Sequence, residues 1–257
     1  MLLASSWFGH RARDLGLQLR QSALLRFAGV ALLPGNEPPP EPWPDSERFP
    51  AGTRVGAASW DALLEPDATL RAVGRAWDPR HARQLVSALL RLRCDTLILP
   101  VGTDRQAGAH ERGERLLGRL RGGDSLREDE ALEELGKGSD LLAERQLEEL
   151  AVLLHQLRRA VPELRIALAP GASPAALLTP DRLQLLLAEL PDPAIGLWHD
   201  PADAESRAAL RLPPAGAWLD GFRGRILGVT LCDSAGGRDR VPPGAGTVDW
   251  TLLAEYL

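Results

Sequence analysis

Lysine, tyrosine and cysteine are almost missing from this chain of 257 residues. The one lysine, Lys137, stands in Leu-Gly-Lys-Gly-Ser beside an acidic run. A Schiff-base lysine needs a desolvated pocket, so Lys137 is a poor candidate for that chemistry. The one tyrosine, Tyr256, is the penultimate residue. Two cysteines, Cys94 and Cys232, are too few for a zinc ribbon or a disulfide scaffold. No stretch approaches the roughly 20 uncharged apolar residues of a membrane span. The start, Met-Leu-Leu-Ala-Ser-Ser-Trp-Phe, has no basic region and is too short for a signal peptide, so a cytoplasmic protein without membrane contact is expected. An excess of basic charge is also lacking. The net charge is −5, which argues against a nucleic-acid partner. Chemistry has to come from carboxylates, five histidines, serines or arginines.

What is present is a regular alternation. With 44% hydrophobic residues the chain can bury one large core, and its length is close to the roughly 250 residues of an α/β barrel. Short apolar runs predict strands at 2–6, 28–33, 54–59, 95–101, 164–169, 194–199 and 225–231. Between them lie helical patterns: 13–27, with Leu15, Leu17, Leu19, Leu24 and Leu25 as its stripe, and 78–93, with Leu85, Leu89, Leu90 and Leu92. Further helices are expected at 139–160, at 179–190, near Trp218 and from Asp249 to the end, and 103–149 reads as largely helical. Asp78-Pro79 and Thr179-Pro180 are helix starts, a capping side chain followed by proline at the first position. Strands separated by helices of this length imply parallel βαβ units in a single domain, 1–257.

Four segments carry a more specific pattern. Ile195-Gly-Leu-Trp-His-Asp-Pro-Ala-Asp-Ala204 closes the sixth strand, and Gly228-Val-Thr-Leu-Cys-Asp233 the seventh. Asp239, then Pro243-Gly-Ala-Gly-Thr-Val-Asp-Trp250, form a loop motif, and Phe27-Ala-Gly-Val-Ala-Leu32 lies upstream. In this order and spacing they resemble the xylose isomerase-like TIM barrels, the sugar phosphate isomerase/epimerase group. The resemblance implies a (β/α) barrel whose eighth strand is missing, since the sequence stops at Leu257 within the helix that should precede it.

It also implies a divalent metal (Mn, Mg or Zn) at the mouth of the barrel, held by carboxylates and histidines, with paired carboxylates moving a proton between adjacent carbons. This chain departs from the ligand set at most matching positions. Where the group carries glutamates it has Ala31 and Ala169, and where the group carries histidines it has Asp203, Thr230 and Arg240. Asp200 is the ligand position retained. The expectation is therefore a barrel without the metal-dependent reaction, a pseudoenzyme that binds a small carbohydrate-like ligand or a partner. The alternative is an isomerase or epimerase with a metal site rebuilt around Asp200, Asp203, Asp233 and Arg240, which should then cluster.

Asp200 and Asp233 are the candidate catalytic residues, Asp200 also being the remnant metal ligand. Trp7, Trp60, Trp198 and Arg240 are the candidate ligand contacts, the tryptophans as an apolar floor for a sugar ring. His199 should face away from Asp200, because neighbours on a strand alternate. Asp203 is expected to face solvent at a helix start. A barrel lacking a strand exposes sheet edges, so cover by Pro34–Pro50 or by a second copy, as a homodimer, is expected.

Overall fold

The computed structural model describes residues 1–4, 14–32, 45–59, 79–102, 108–124, 127, 130, 133, 135, 140–171, 173–210, 212–213, 215–236 and 240–257. Trp7, Trp60 and most of the proline-rich segment lie outside these residues. The elements, in order, are β1 (Leu3–Ala4), α1 (Leu15–Leu24), β2 (Gly29–Leu32), a 3-10 turn (Ser46–Arg48), β3 (Arg54–Ser59), α2 (Pro79–Leu92), β4 (Thr96–Pro100), α3 (Ala109–Arg121) and α4 (Asp140–Ala160). There follow β5 (Arg165–Ala169), α5 (Pro180–Glu189), β6 (Ile195–His199), α6 (Pro201–Ala209), α7 (Ala215–Asp220), β7 (Ile226–Val229), β8 (Asp233–Ser234), β9 (Arg240–Val241) and α8 (Trp250–Ala254). The chain divides into two compact units, Met1–Pro100 with Val152–Ile166, and Val101–Ala151 with Ala167–Leu257.

In the first unit β1, β2, β3 and β4 pair in chain order, all parallel. Val30 and Ala31, Ala57 and Ala58, and Leu97 and Ile98 are all buried, as expected of parallel strands covered on both faces. Gly29 lies tight against β3, opposite Arg54. Its φ is 154°, and a Cβ there would sit 1.9 Å from the Arg54 carbonyl oxygen. α2 buries Leu85, Leu89 and Leu92, whereas Leu90, read as part of the same stripe, is 62% exposed. A turn of 3.6 residues rotates Leu90 about 100° away from Leu89. α1 likewise buries Leu15 and Leu19 and leaves Leu24 outside.

Three helices end in the same hydrogen-bonded hook, two amides turning back onto the last free carbonyls. In α1, Phe27 N donates to Ser22 O and Arg26 N to Ala23 O. In α2, Cys94 N donates to Leu89 O and Arg93 N to Leu90 O. In α3, Asp124 N donates to Arg119 O and Gly123 N to Leu120 O. The hook needs a left-handed residue, normally glycine. α3 supplies Gly123, but α1 and α2 use Arg26 (φ 62°) and Arg93 (φ 47°). A side chain in that region costs roughly 1–2 kcal/mol, and glycine gives back roughly 0.5–1 kcal/mol in unfolded-state entropy. Arg93→Gly is therefore expected to stabilise the protein by about 0.5–1 kcal/mol. The Arg93–Glu47 ion pair, 3.7 Å with both side chains 74% exposed, adds little against this. A higher urea midpoint at unchanged slope is the check.

In the second unit β5, β6 and β7 again follow chain order, β6 and β7 parallel with Leu197 opposite Ile226. β8 and β9 form a small antiparallel hairpin, Asp233 opposite Val241 and Ser234 opposite Arg240. Leu116, Leu117 and Leu120 of α3 pack with Leu210 at the end of α6. No eighth parallel strand follows β7 among the described residues. Among the described residues no helix is long and apolar enough to cross a membrane.

Candidate functional site

The second unit brings three of the expected residues to one place. β6 ends at His199, and Asp-Pro converts strand to helix: Asp200 caps α6, its Oδ1 accepting from Asp203 N at 3.1 Å, with Pro201 at the first helical position. Asp200 Oδ2 accepts from Arg240 Nη1 at 3.0 Å, and Asp203 Oδ1 accepts from Arg240 Nη2 of the same guanidinium. One arginine thus spans two carboxylates, both nearly covered, at 16% and 12% side-chain exposure, while its own side chain is 52% exposed. The expectation that Asp203 faces solvent is corrected here. It lies on the inner face of α6, and negative charge at the helix start is neutralised by Arg240 as well as by the helix dipole. Burial, and then Asp200, push the Asp203 carboxyl above its usual range, against the pull of Arg240 and Arg207.

One turn further along α6 is Arg207, which the sequence reading missed. It is buried, with its guanidinium carbon 4.5 Å from the centre of the Trp218 ring on α7. Among the described residues, Arg207 Nε and Nη1 and Trp218 Nε1 are buried without a hydrogen-bond partner. Desolvation brings the Arg207 pKa down to about 10, countered by Asp203 and Asp200, so the group stays charged at neutral pH. The signal was available: 203 and 207 are four apart on a helix and share a face. His199, on the other face of β6, is buried. Desolvation is the main reason its pKa falls to about 4; Asp200 opposes that and Arg207 adds to it, leaving a neutral imidazole at pH 7.

Trp198 shares the Asp200 side of β6. Its Nε1 donates to Thr230 Oγ1 at 3.0 Å, while Thr230 N donates to His199 O at 2.9 Å. The ring lies over Gly228 of β7, where a Cβ would come within 2.2 Å of it, so only glycine fits beneath the indole.

Asp233 is placed differently. It is fully buried, and its Oδ1 accepts from Ser234 N (2.8 Å) and Val248 N (2.9 Å), its Oδ2 from Gly244 N (2.9 Å) and Trp250 Nε1 (2.9 Å). Desolvation acts to raise its pKa, but the four donors, Trp250 foremost, hold it well below the usual carboxylate range. All four contacts tie down the chain around the β8–β9 hairpin that carries Arg240. Asp200, Asp203 and Arg240 therefore cluster, and Asp233 holds the loop behind them.

The residues present do not fit a divalent cation. A hard cation needs several oxygen or imidazole ligands converging on one point. Here one oxygen each of Asp200 and Asp203 is already given to a guanidinium, the end of β5 offers the methyl of Ala169, and Thr230 Oγ1 accepts from an indole. No group of three or more His, Cys, Asp or Glu side chains that could hold a metal occurs among the described residues.

Three solved structures are similar to this chain over most of its length. A xylose isomerase domain protein from Planctomyces limnophilus is 14% identical at a TM-score of 0.54, covering 90% of this chain and 77% of its own. The 3-keto-D-glucoside 4-epimerase of E. coli is 15% identical at a TM-score of 0.58, covering 100% and 86%. The IOLI protein, solved with a zinc atom, is 11% identical at a TM-score of 0.57, covering 100% and 84%. Identities this low establish architecture alone. No family model matches the chain, and no curated protein matches it.

Proposed function

Starting from the incomplete xylose isomerase-like (β/α) barrel, the fold this chain has, we propose that it binds a small, hydroxyl-rich, carbohydrate-like ligand without a metal and does not run a metal-dependent isomerisation. The observation that carries this reading is the Arg240 guanidinium spanning Asp200 and Asp203 at the C-terminal end of β6. That end of the strands is where barrels of this kind hold their ligands. A guanidinium has five donor hydrogens in a plane and a carboxylate about four acceptor positions, so the trio retains capacity on both sides for sugar hydroxyls. The half-buried indole of Trp198 lies on the same side of β6. The two solved relatives named for an epimerase and for xylose isomerase favour a carbohydrate over other polar ligands.

The experiment is thermal denaturation against a panel of monosaccharides and cyclic polyols, each with and without EDTA. A ligand at 100 times its Kd stabilises by about 2.7 kcal/mol, which for a chain of this size is roughly 5–10 °C in Tm. A hit of that size unchanged by EDTA, and weakened by Asp200→Ala, is the expected result. A hit that EDTA abolishes and Mn²⁺ restores would replace this reading by the rebuilt-metal isomerase.

A further inference from the structure

We propose that Arg240 is the permanent cation of this site: its guanidinium stands where a divalent ion would otherwise have to neutralise Asp200 and Asp203, so that arginine and metal are mutually exclusive occupants. The inference rests on the metal-independent reading above and says how the site dispenses with the metal.

The four charged groups at the start of α6 and around the Arg240 contact balance without any ion, while Glu205 further along the helix lies towards Asp233. Two carboxylates, Asp200 and Asp203, stand against two guanidiniums, Arg240, bonded to both, and Arg207, one turn along the helix from Asp203. A divalent ion added to this set would bring its local charge to +2 in a nearly buried place, and two like charges at contact distance repel strongly there. Arg207 carries the second, independent half of the argument. It is buried, its Nε and Nη1 have no hydrogen-bond acceptor among the described residues, and its face rests on Trp218. A guanidinium that keeps N–H groups unsatisfied at the edge of a carboxylate pair marks a site with cationic groups in surplus over free acceptors. Deleting Arg240 reverses the balance. Two carboxylates then face one buried arginine, and the oxygens that Nη1 and Nη2 occupied become available on the solvent side.

Arg240 is also delivered by machinery that fixes its place. Residue 240 opposes Ser234 across the β8–β9 hairpin, and Thr247 N and Oγ1 both donate to Ser234 O, at 2.9 and 3.1 Å. The Asp233 contacts close the same loop. The guanidinium reaches the carboxylates from a braced hairpin.

The test is a titration of the full chain with Mn²⁺, following the free-ion EPR signal, in wild type, Arg240→Ala, Arg240→Gln, Arg240→Lys and the double variant Asp200→Asn/Arg240→Ala. The neutral variants are expected to bind one Mn²⁺ in the millimolar range and to lose it in the double variant. Wild type and Arg240→Lys, which keep a positive charge at the position, are expected to bind none. Arg240→Gln is close in size to arginine and gives the answer if Arg240→Ala does not fold. Folded neutral variants that leave Mn²⁺ free would overturn the inference. In that case an EDTA-resistant sugar response in wild type would still stand, so the two ideas fail separately. Wild type binding Mn²⁺ as well as Arg240→Ala does would overturn both.

Discussion

Trp218→Ala is expected to cost about 3–5 kcal/mol of stability, the range for truncating a large buried aromatic side chain. Trp218 is only 2% exposed and is the bulkiest of the fully buried side chains. It packs at 6.2 Å, ring centre to ring centre, on Phe222 and carries the face on which Arg207 rests. Alanine at this position opens a cavity beside a buried guanidinium, and Arg207 loses the ring face that, with the charges of Asp203 and Asp200, compensates part of its desolvation. Trp218→Phe separates these effects. It keeps a ring under Arg207 and removes an indole N–H that has no acceptor, so its cost is expected to stay below about 1.5 kcal/mol. Urea unfolding of both variants checks the contrast. Equal losses would mean that a benzene ring in this place recovers nothing, so that neither the refilled volume nor the ring face under Arg207 contributes.

The second large effect is expected to depend on pH. Arg240→Met leaves Asp200 and Asp203 with Arg207 as the remaining cation. Breaking a buried pair costs about 3–5 kcal/mol. Because Arg240 is 52% exposed, solvent screens part of its contribution, and about 2 kcal/mol at pH 7 is the expected loss. The sign of the pH dependence follows from Asp203. Its carboxyl titrates above its usual range because of burial and Asp200, and removing Arg240 takes away one of the charges pulling it down, so it rises further. An acid whose folded pKa exceeds its unfolded one carries no penalty when both states are protonated. The penalty grows as pH rises through the unfolded value and is complete above the folded one. Arg240→Met should accordingly differ little from wild type near pH 4 and fall progressively behind as pH rises towards 7. A loss independent of pH would show that Arg240 stabilises through packing of its stem and not through Asp203.

The framework that positions these groups was largely legible in the sequence. Parallel strands covered on both faces are short apolar runs, so β3 was read to the residue and β2, β4, β5 and β6 to within one or two. Capping pairs placed α2 and α5 to within a residue at each end, because Asp-Pro and Thr-Pro announce a first turn by local chemistry. Helix faces were harder. Leu90 and Leu24 are apolar and outside, and composition alone does not say which of two adjacent leucines turns inward. The site was legible in its members and not in its geometry. Asp200, Asp203 and Arg240 were all named, but the pairing of Asp203 with Arg240 crosses 37 residues and leaves no local periodicity. The β8–β9 hairpin that makes the pairing consists of two-residue strands, too short to alternate. Arg207 and Trp218 went unread because a buried, unpaired arginine is what hydropathy patterns are built to reject.

The Asp233 clasp has a dynamic consequence. The amides of Ser234, Gly244 and Val248 and the indole of Trp250 share a single carboxylate as acceptor. Swinging that one side chain away frees all four donors together. Ser234, Gly244, Val248 and Trp250 are thereby tied into one cooperative opening unit, and the amides of the first three should exchange with solvent in step. The position of Arg240 is then all-or-none: the guanidinium is seated while the clasp is shut, and the two acids are uncovered whenever it opens.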